Sequence, residues 1–342
     1  MKPGENRYYH LDLRPEVKIN NGHKYKRNAR HKWGPDKCFC EEGLYALKLG
    51  NWSSDQIEQK FFGGLDSNGR KAVRLFGEYS GTNDQIVESF QSLLLYLDAQ
   101  RFRTPRGLDF ILSQDDQHDR NRALRVMQRL FQIYSTIWAE GVWEIVYARQ
   151  SPTKFIVSDN PVTLYNSGIF PHEIPYPLDV RVEGLGTRTL FPLGSTSCLI
   201  ITHLQLVRNP RIDPLESRIN PRTFQPTMKS LLDIQYGREL DEDEVVKINY
   251  ILKRRATRYI AAAEEHWLYP EKYASTRIWS KLDDDWFLLP NPYKVSFNVQ
   301  MMVGFNDGSA WGMDEFGRLP RKDIEAEESA RRARGRITKR QT

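Results

Sequence analysis

The chain has 342 residues, 39% hydrophobic and 27% charged, with a formal net charge of +6. That composition suits one large or two small globular domains and excludes collagen-like and wholly disordered chains. No apolar run approaches the ~18 residues of a transmembrane helix, no apolar segment follows Met1-Lys2-Pro3-Gly4, and three cysteines make no disulfide framework, so a soluble, cytoplasmic protein with no membrane association is expected.

Residues 1–40 hold ten Lys and Arg against four acids and show no sustained periodicity, as in Asn20-Asn21-Gly22-His23-Lys24. They read as a basic N-terminal arm, either short edge strands or partly ordered chain. Residues 41–317, which carry a net −5, are expected to form one composite domain. Ser53 or Ser54 can cap a first helix with Ile57, Phe61 and Phe62 on one face, and Gly63-Gly64 and Asn68-Gly69 are expected to interrupt or bend it. Thr82 or Asn83 caps the next helix, where Ile86, Phe90, Leu93, Leu94 and Leu97 make a buried stripe that stops near Arg103-Thr104-Pro105. A long helix is predicted over 119–149, with Leu124, Met127, Phe131, Tyr134, Trp138 and Val142 as its stripe.

Past Pro152 the period becomes that of strands, at 154–157, 162–165, 188–193 and 198–202. The last is apolar almost throughout, as in a central strand covered on both faces. Prolines at 171, 175 and 177, and at 210, 214, 221 and 226, mark two long loops. A helix over 241–266 opens on Asp241-Glu242-Asp243-Glu244, which suits its N-terminal dipole, and is expected to bury Val245, Ile248, Leu252, Tyr259 and Ile260. Strand-like pieces follow at 277–279, 286–289 and 295–303. Residues 318–342, nine cations against four acids, read as a basic, flexible C-terminal tail. The fold class is α+β: a helical half followed by a mixed β-sheet with a long helix packed on it.

Five segments stand in the order and spacing of one family. They are Ile57-Glu58-Gln59-Lys60-Phe61-Phe62, Gln100-Arg101-Phe102-Arg103-Thr104-Pro105, Phe155-Ile156-Val157-Ser158-Asp159-Asn160-Pro161-Val162, Phe191-Pro192-Leu193-Gly194, and the helix carrying Asn249 and Ala256-Thr257-Arg258-Tyr259. Over roughly residues 40–265 the chain resembles the domain of unknown function 4238 family, and the Ser-Asp-Asn-Pro element is the most specific of the matches. The family has no assigned activity, so the resemblance implies little chemistry. Its members open with a His, Val-Pro and Tyr-Leu element that residues 1–40 lack; Tyr8-Tyr9-His10-Leu11 only imitates it.

Asp159 is the leading candidate for a catalytic or metal-binding residue. A hydrophobic strand delivers its carboxylate to the strand's C-terminal end, where it could hold Mg²⁺ or act as acid or base. Equally, Ser, Asp and Asn before Pro form turns in which the carboxylate satisfies backbone donors. Glu140 and Glu144, one helical turn apart on the predicted helix, are the candidates for a second carboxylate. Arg103 could clamp a phosphate or carboxylate, or could compensate a helix C-terminus and pair with Asp98 or Asp109. His23, His31, Cys38 and Cys40 fit no common zinc spacing. The sequence contains no nucleophile elbow, Walker loop, dinucleotide fingerprint or H-E-x-x-H motif. Arg208, Arg211, Arg218 and Arg222 lie among the prolines of the second loop, where they could touch phosphate or simply be solvated. In the tail, Arg331, Arg332, Arg334, Arg336, Lys339 and Arg340 form a cationic run suited to nucleic acid or another polyanion. The basic N-terminal arm, with Tyr8, Tyr9, Tyr25 and Trp33 among its cations, suits the same kind of partner or is simply an edge element.

Three functional readings follow. The first is a nucleic-acid-interacting protein, as a metal-assisted nuclease using Asp159. The second is a small-molecule enzyme with a pocket at Asp159 and Arg103. The third is a non-enzymatic interaction protein, in which Asp159 would be buried and bonded to backbone amides.

Overall fold

A computed structural model describes residues 7–20, 23–34, 39, 47–49, 52–54, 62–82, 85–114, 119–218, 233–295, 301–304, 306 and 310–313. Six short strands come first: β1 (Tyr8–Asp12), β2 (Val17–Asn20), β3 (His23–Lys26), β4 (Arg30–Trp33), β5 (Leu47–Leu49) and β6 (Trp52–Ser54). Five helices follow: α1 (Gly63–Gly77), α2 (Ile86–Phe102), α3 (Pro105–Ser113), α4 (Arg120–Leu130) and α5 (Ser135–Ala139). Then come β7 (Val142–Tyr147), β8 (Val157–Ser158), β9 (Thr163–Tyr165), β10 (Arg188–Pro192), β11 (Ser197–Thr202), α6 (Leu204–Arg208), β12 (Gln235–Glu239), α7 (Glu242–Arg255), β13 (Tyr259–Ala262), β14 (Met301–Gly304) and β15 (Ala310–Met313). Among the described residues, no helix is long and apolar enough to cross a membrane.

The protein is α+β, and its centre is the run predicted as a doubly covered strand. β11 is buried along its whole length in a five-stranded sheet of order β12-β7-β11-β10-β9. Only the β12–β7 pair is parallel. Successive side chains of a strand point to opposite faces, so β11 divides its residues between two cores. Cys198 and Ile200 pack with Val245, Ile248, Ile251 and Leu252 of α7. Leu199 and Ile201 pack with Phe76 of α1 and with Phe90, Leu93 and Leu97 of α2. Burying each Leu or Ile fully contributes ~1.5–3 kcal/mol, and this sheet buries such residues on both faces. The helix–sheet–helix arrangement follows from that demand.

A second, antiparallel sheet has the order β4-β1-β13-β8. The basic N-terminal segment therefore supplies an interior strand as well as an edge one: β1 lies between β4 and β13. The remaining strands form three separate hairpins, β2–β3, β5–β6 and β14–β15.

Several boundaries differ from those the periodicity predicts. Asp119 caps α4, accepting from the amides of Asn121 and Arg122, but the expected helix over 119–149 breaks into three elements. Gln132 turns to φ +77 after α4, α5 is a single short turn, and Val142–Tyr147 is strand β7. Both faces of β7 are buried, which erases the period of two, and the residual apolar spacing mimics a helix. The helix expected over 241–266 ends at Arg255, and Tyr259 and Ile260 belong to β13. Its start falls at Asp241 as read, and the structure adds a reciprocal capping box of Asp241 and Glu244 with distances of 2.8 and 2.9 Å. Ser53 and Ser54 lie in β6, and residues 55–61 are outside the described residues.

Asn68-Gly69 does not interrupt α1 but runs through its middle. A Cβ on Gly69 would sit 2.2 Å from the ring of Tyr96 on α2, so glycine is what lets the two helices approach. The stripe Ile86, Phe90, Leu93, Leu94 and Leu97 is buried on α2, and that helix stops at Arg103 as predicted. Of the C-terminal strand-like pieces, 277–279 leads into a 3-10 turn at Trp279–Lys281, 286–289 is irregular chain, and of 295–303 residues 301–303 lie in β14 while 296–300 are outside the described residues. Residues 314–342, including the tail cations from Arg331 to Arg340, lie outside the described residues.

Candidate anion-binding site

The Ser158-Asp159-Asn160-Pro161 element carries the chain from β8 in the small sheet to β9 in the large one. Its side chains hold backbone. Asp159 Oδ1 accepts the Thr257 N–H at 2.8 Å, and Oδ2 accepts those of Arg258 at 2.7 Å and Tyr259 at 2.9 Å. Partial burial pushes the Asp159 carboxyl above its ordinary value, against the opposing pull of the Tyr259, Thr257 and Arg258 amides. These three bonds seat the backbone between α7 and β13, which is why the helix ends where it does. Asn160 Nδ2 donates to the carbonyl of Arg255 at 3.1 Å, and Ser158 Oγ accepts the Asn160 N–H at 3.2 Å.

The connection is reciprocal. Asn249 of α7 accepts the Ile156 N–H at 3.1 Å and donates to the Lys154 carbonyl at 2.8 Å. Two of the segments that carry the family resemblance are therefore each other's hydrogen-bond partners.

Arg103 faces the other way from the site expected of it. It pairs with Asp66 of α1 at 2.5 and 2.7 Å and lies 4.9 Å above the Phe62 ring. Its acid is thus Asp66 rather than Asp98 or Asp109. Glu140 pairs with Arg218, and Glu144 holds Arg238 in two bonds of 2.8 Å. Neither supplies a second carboxylate beside Asp159. Arg222, Cys38 and Cys40 lie outside the described residues, and His31 stacks on Trp33 at 4.4 Å. Among the described residues, no three His, Cys, Asp or Glu side chains converge as a metal site.

What the fold does bring together is a different set of charges. Arg101 in the last turn of α2, Arg106 in the first turn of α3 and Arg255 at the end of α7 surround one carboxylate, Asp179. Arg101 lies 2.6 Å from Asp179 and Arg106 4.0 Å away, and Arg255 is in direct contact with it. The three guanidinium side chains are 13%, 12% and 1% exposed, and the carboxylate 6%. Arg101 also reaches Asn160 Oδ1 at 3.4 Å, so three of the family-like segments meet here. Local rules fix α3: Thr104 caps it through Gly107 N–H, and Pro105 starts it. Gly107 permits the tight turn from α2, because a Cβ there would lie 2.4 Å from the Phe102 carbonyl oxygen.

The electrostatics of the cluster are unbalanced. Burial lowers Arg101. Burial, then the neighbouring Arg101, lowers Arg106 to about 10. Burial, then Arg106 and Arg101, lowers Arg255 to about 9. Among the described residues, Nε of Arg255 has no hydrogen-bond partner, although its side chain is almost fully buried. Three dehydrated cations thus share a single anion.

Beside them opens a cavity of about 470 Å³. Arg101, Arg106 and Asp179 line it, as do Phe102, Phe110, Ile169 and Ile174, while Arg255 stands behind Asp179. Arg181 and Glu183, paired at 2.7 Å and exposed, are also on its wall. Asp159 and Arg103 do not line it. The sequence held one signal for this site: Arg101 falls four residues after Leu97 and seven after Leu94, on the buried stripe of α2. A cation on such a stripe needs a partner, and the partner, Asp179, sits 78 positions away in an irregular loop.

The fold and the site thus define an α+β protein with an arginine-lined cavity between two helix ends and a loop. The chain belongs to the family described as proteins of unknown function, DUF4238, whose profile matches residues 15–266. The match begins well before residue 40, where the resemblance was expected to start. No curated protein and no solved structure matches the chain.

Proposed function

We propose that this protein binds a small anionic molecule, with a phosphate or carboxylate head and an apolar body, in the cavity beside Arg101 and Arg106. One observation carries the reading: two arginines on the cavity wall, Arg101 and Arg106, share the carboxylate of Asp179 with a third buried arginine, Arg255, behind it. Guanidinium groups bind phosphate and carboxylate bidentately, and do so most strongly where water is excluded. Phe102, Phe110, Ile169 and Ile174 supply the apolar lining that small-molecule sites commonly have.

The reading keeps the pocket of the second expectation and moves it from Asp159 and Arg103 to Arg101, Arg106 and Asp179. The chemistry proposed is recognition of the anionic head by Arg101 and Arg106 on the cavity wall. Asp159 is half-buried and holds three backbone amides, which leaves it outside the proposed site. The test is calorimetric titration with inorganic phosphate, nucleoside monophosphates and aromatic carboxylates, against Arg106→Gln. Binding by the natural chain that falls at least tenfold in the variant supports the reading. Equal affinity in both, or no binding by any member of the panel, refutes it.

A further inference from the structure

The hairpin formed by β2 and β3 stands apart from both sheets and both cores. Its register pairs Val17 with Lys26, Lys18 with Tyr25, Ile19 with Lys24 and Asn20 with His23. All four residues of β2 are exposed, with Val17 at 55% and Ile19 at 66%. Period-two geometry puts Val17 and Ile19 on one face and Lys18 and Asn20 on the other, so neither face is covered. At the base, Arg27 N–H donates to the Glu16 carbonyl at 2.9 Å, and its guanidinium meets the Glu16 carboxylate at 3.1 Å. From Val17 to Trp33 the sequence has six Lys and Arg and no acid. Lys18 and Lys24 make no ion pair among the described residues.

We propose that this hairpin is a nucleic-acid docking ribbon, a second binding site independent of the arginine-lined cavity. A two-stranded antiparallel ribbon fits the major groove, where its cations meet phosphates on either side. Val17 and Ile19 give the ribbon an apolar strip for sugars and base edges. Charge complementarity favours a polyanion over a protein partner, since one acid-free stretch supplies every cation. The position of the apolar residues favours nucleic acid over a lipid surface. They lie along the strand among cations, whereas the connecting residues Asn20-Asn21-Gly22-His23 are polar and offer no apolar tip to a bilayer.

The experiment is fluorescence anisotropy of the full-length chain with labelled duplex DNA, duplex RNA and single strands over a salt series. The variant is Lys18→Ala/Lys24→Ala. The same pair is also made in a chain whose Arg331, Arg332, Arg334, Arg336, Lys339 and Arg340 are replaced by Gln, which separates the ribbon from the tail. Each lost phosphate contact lowers the salt slope by about one, so the pair should lower it by about two and weaken binding by about tenfold or more. Because both lysines are exposed, thermal stability should not move. Unchanged slope and affinity in both backgrounds overturn the proposal, as does the absence of nucleic-acid binding by the natural chain. Loss of binding to phosphatidylserine vesicles, with nucleic-acid binding intact, overturns it in favour of a lipid surface.

Discussion

Asp179 is the one anion among three buried cations, and replacing it isolates what that imbalance is worth. Asp179→Asn preserves the side-chain volume and leaves Arg101, Arg106 and Arg255 facing each other. Removing one partner of a buried ion pair typically costs about 3–5 kcal/mol, because a charge stays buried without compensation. The upper half of that range applies here, since Arg255 is 1% exposed and water cannot take over. If the cavity binds anions, the variant should recover stability in phosphate. A ligand at a hundred times its dissociation constant restores about 2.7 kcal/mol. The assay is urea denaturation of the natural chain and the variant, in chloride and in phosphate at matched ionic strength. The expected pattern is a loss of at least about 4 kcal/mol in chloride, with phosphate returning more stability to the variant than to the natural chain. A variant as stable as the natural chain in chloride, or one that responds identically to both salts, would refute the reasoning.

Other outcomes follow from the same structure. Burial pushes the Asp98 carboxyl up to about 7, against the weaker opposing pull of hydrogen bonds from Gln132, Ser135 and Tyr134. The native state therefore keeps that proton well above the ordinary carboxyl value of 3.8. Its contribution to stability is complete below about pH 4 and is lost as pH rises through about 7, a fall of roughly 4 kcal/mol at ~1.4 kcal/mol per unit. Asp98→Asn should flatten that part of the curve, seen by subtracting urea-denaturation profiles taken across that range; parallel profiles would contradict the assignment. Asp159→Ala removes the acceptor for three amides and should cost about 3 kcal/mol at ~1 kcal/mol per bond. Ligand binding in the arginine-lined cavity should persist in that variant, and a selective loss of binding at unchanged stability would give Asp159 a functional role. Gly69→Ala places a Cβ against Tyr96 and should destabilise by about 1–3 kcal/mol, by thermal melting, although alanine is the better helix former by ~1 kcal/mol.

The legible parts of this chain were those fixed by local chemistry. The stripe of α2, the stop before Pro105 and the helix starts at Asp119 and Asp241 all rest on residues within a few positions of each other. The almost wholly apolar run at 198–202 announced a strand covered on both faces, and two cores occupy those faces. The α+β class follows from the same signals.

What stayed hidden was decided over long sequence distances. Periodicity read Val142–Tyr147 as helix because a strand buried on both faces has no polar side to mark its period. It extended α7 to residue 266 because nothing near Ala256 in sequence says that Asp159, almost a hundred residues earlier, takes the next three amides. The same reach misdirected the site. Asp159 and Arg103 are conspicuous in sequence, yet the fold gives one to backbone and the other to Asp66. Arg101, Arg106 and Arg255 are unremarkable singly and become a site only when three helix ends converge on Asp179. Sequence alone determined the elements marked by local signals, the class of fold and the basic ends. Tertiary structure decided which charges are left without a partner, because pairing depends on distance in space and not on spacing along the chain.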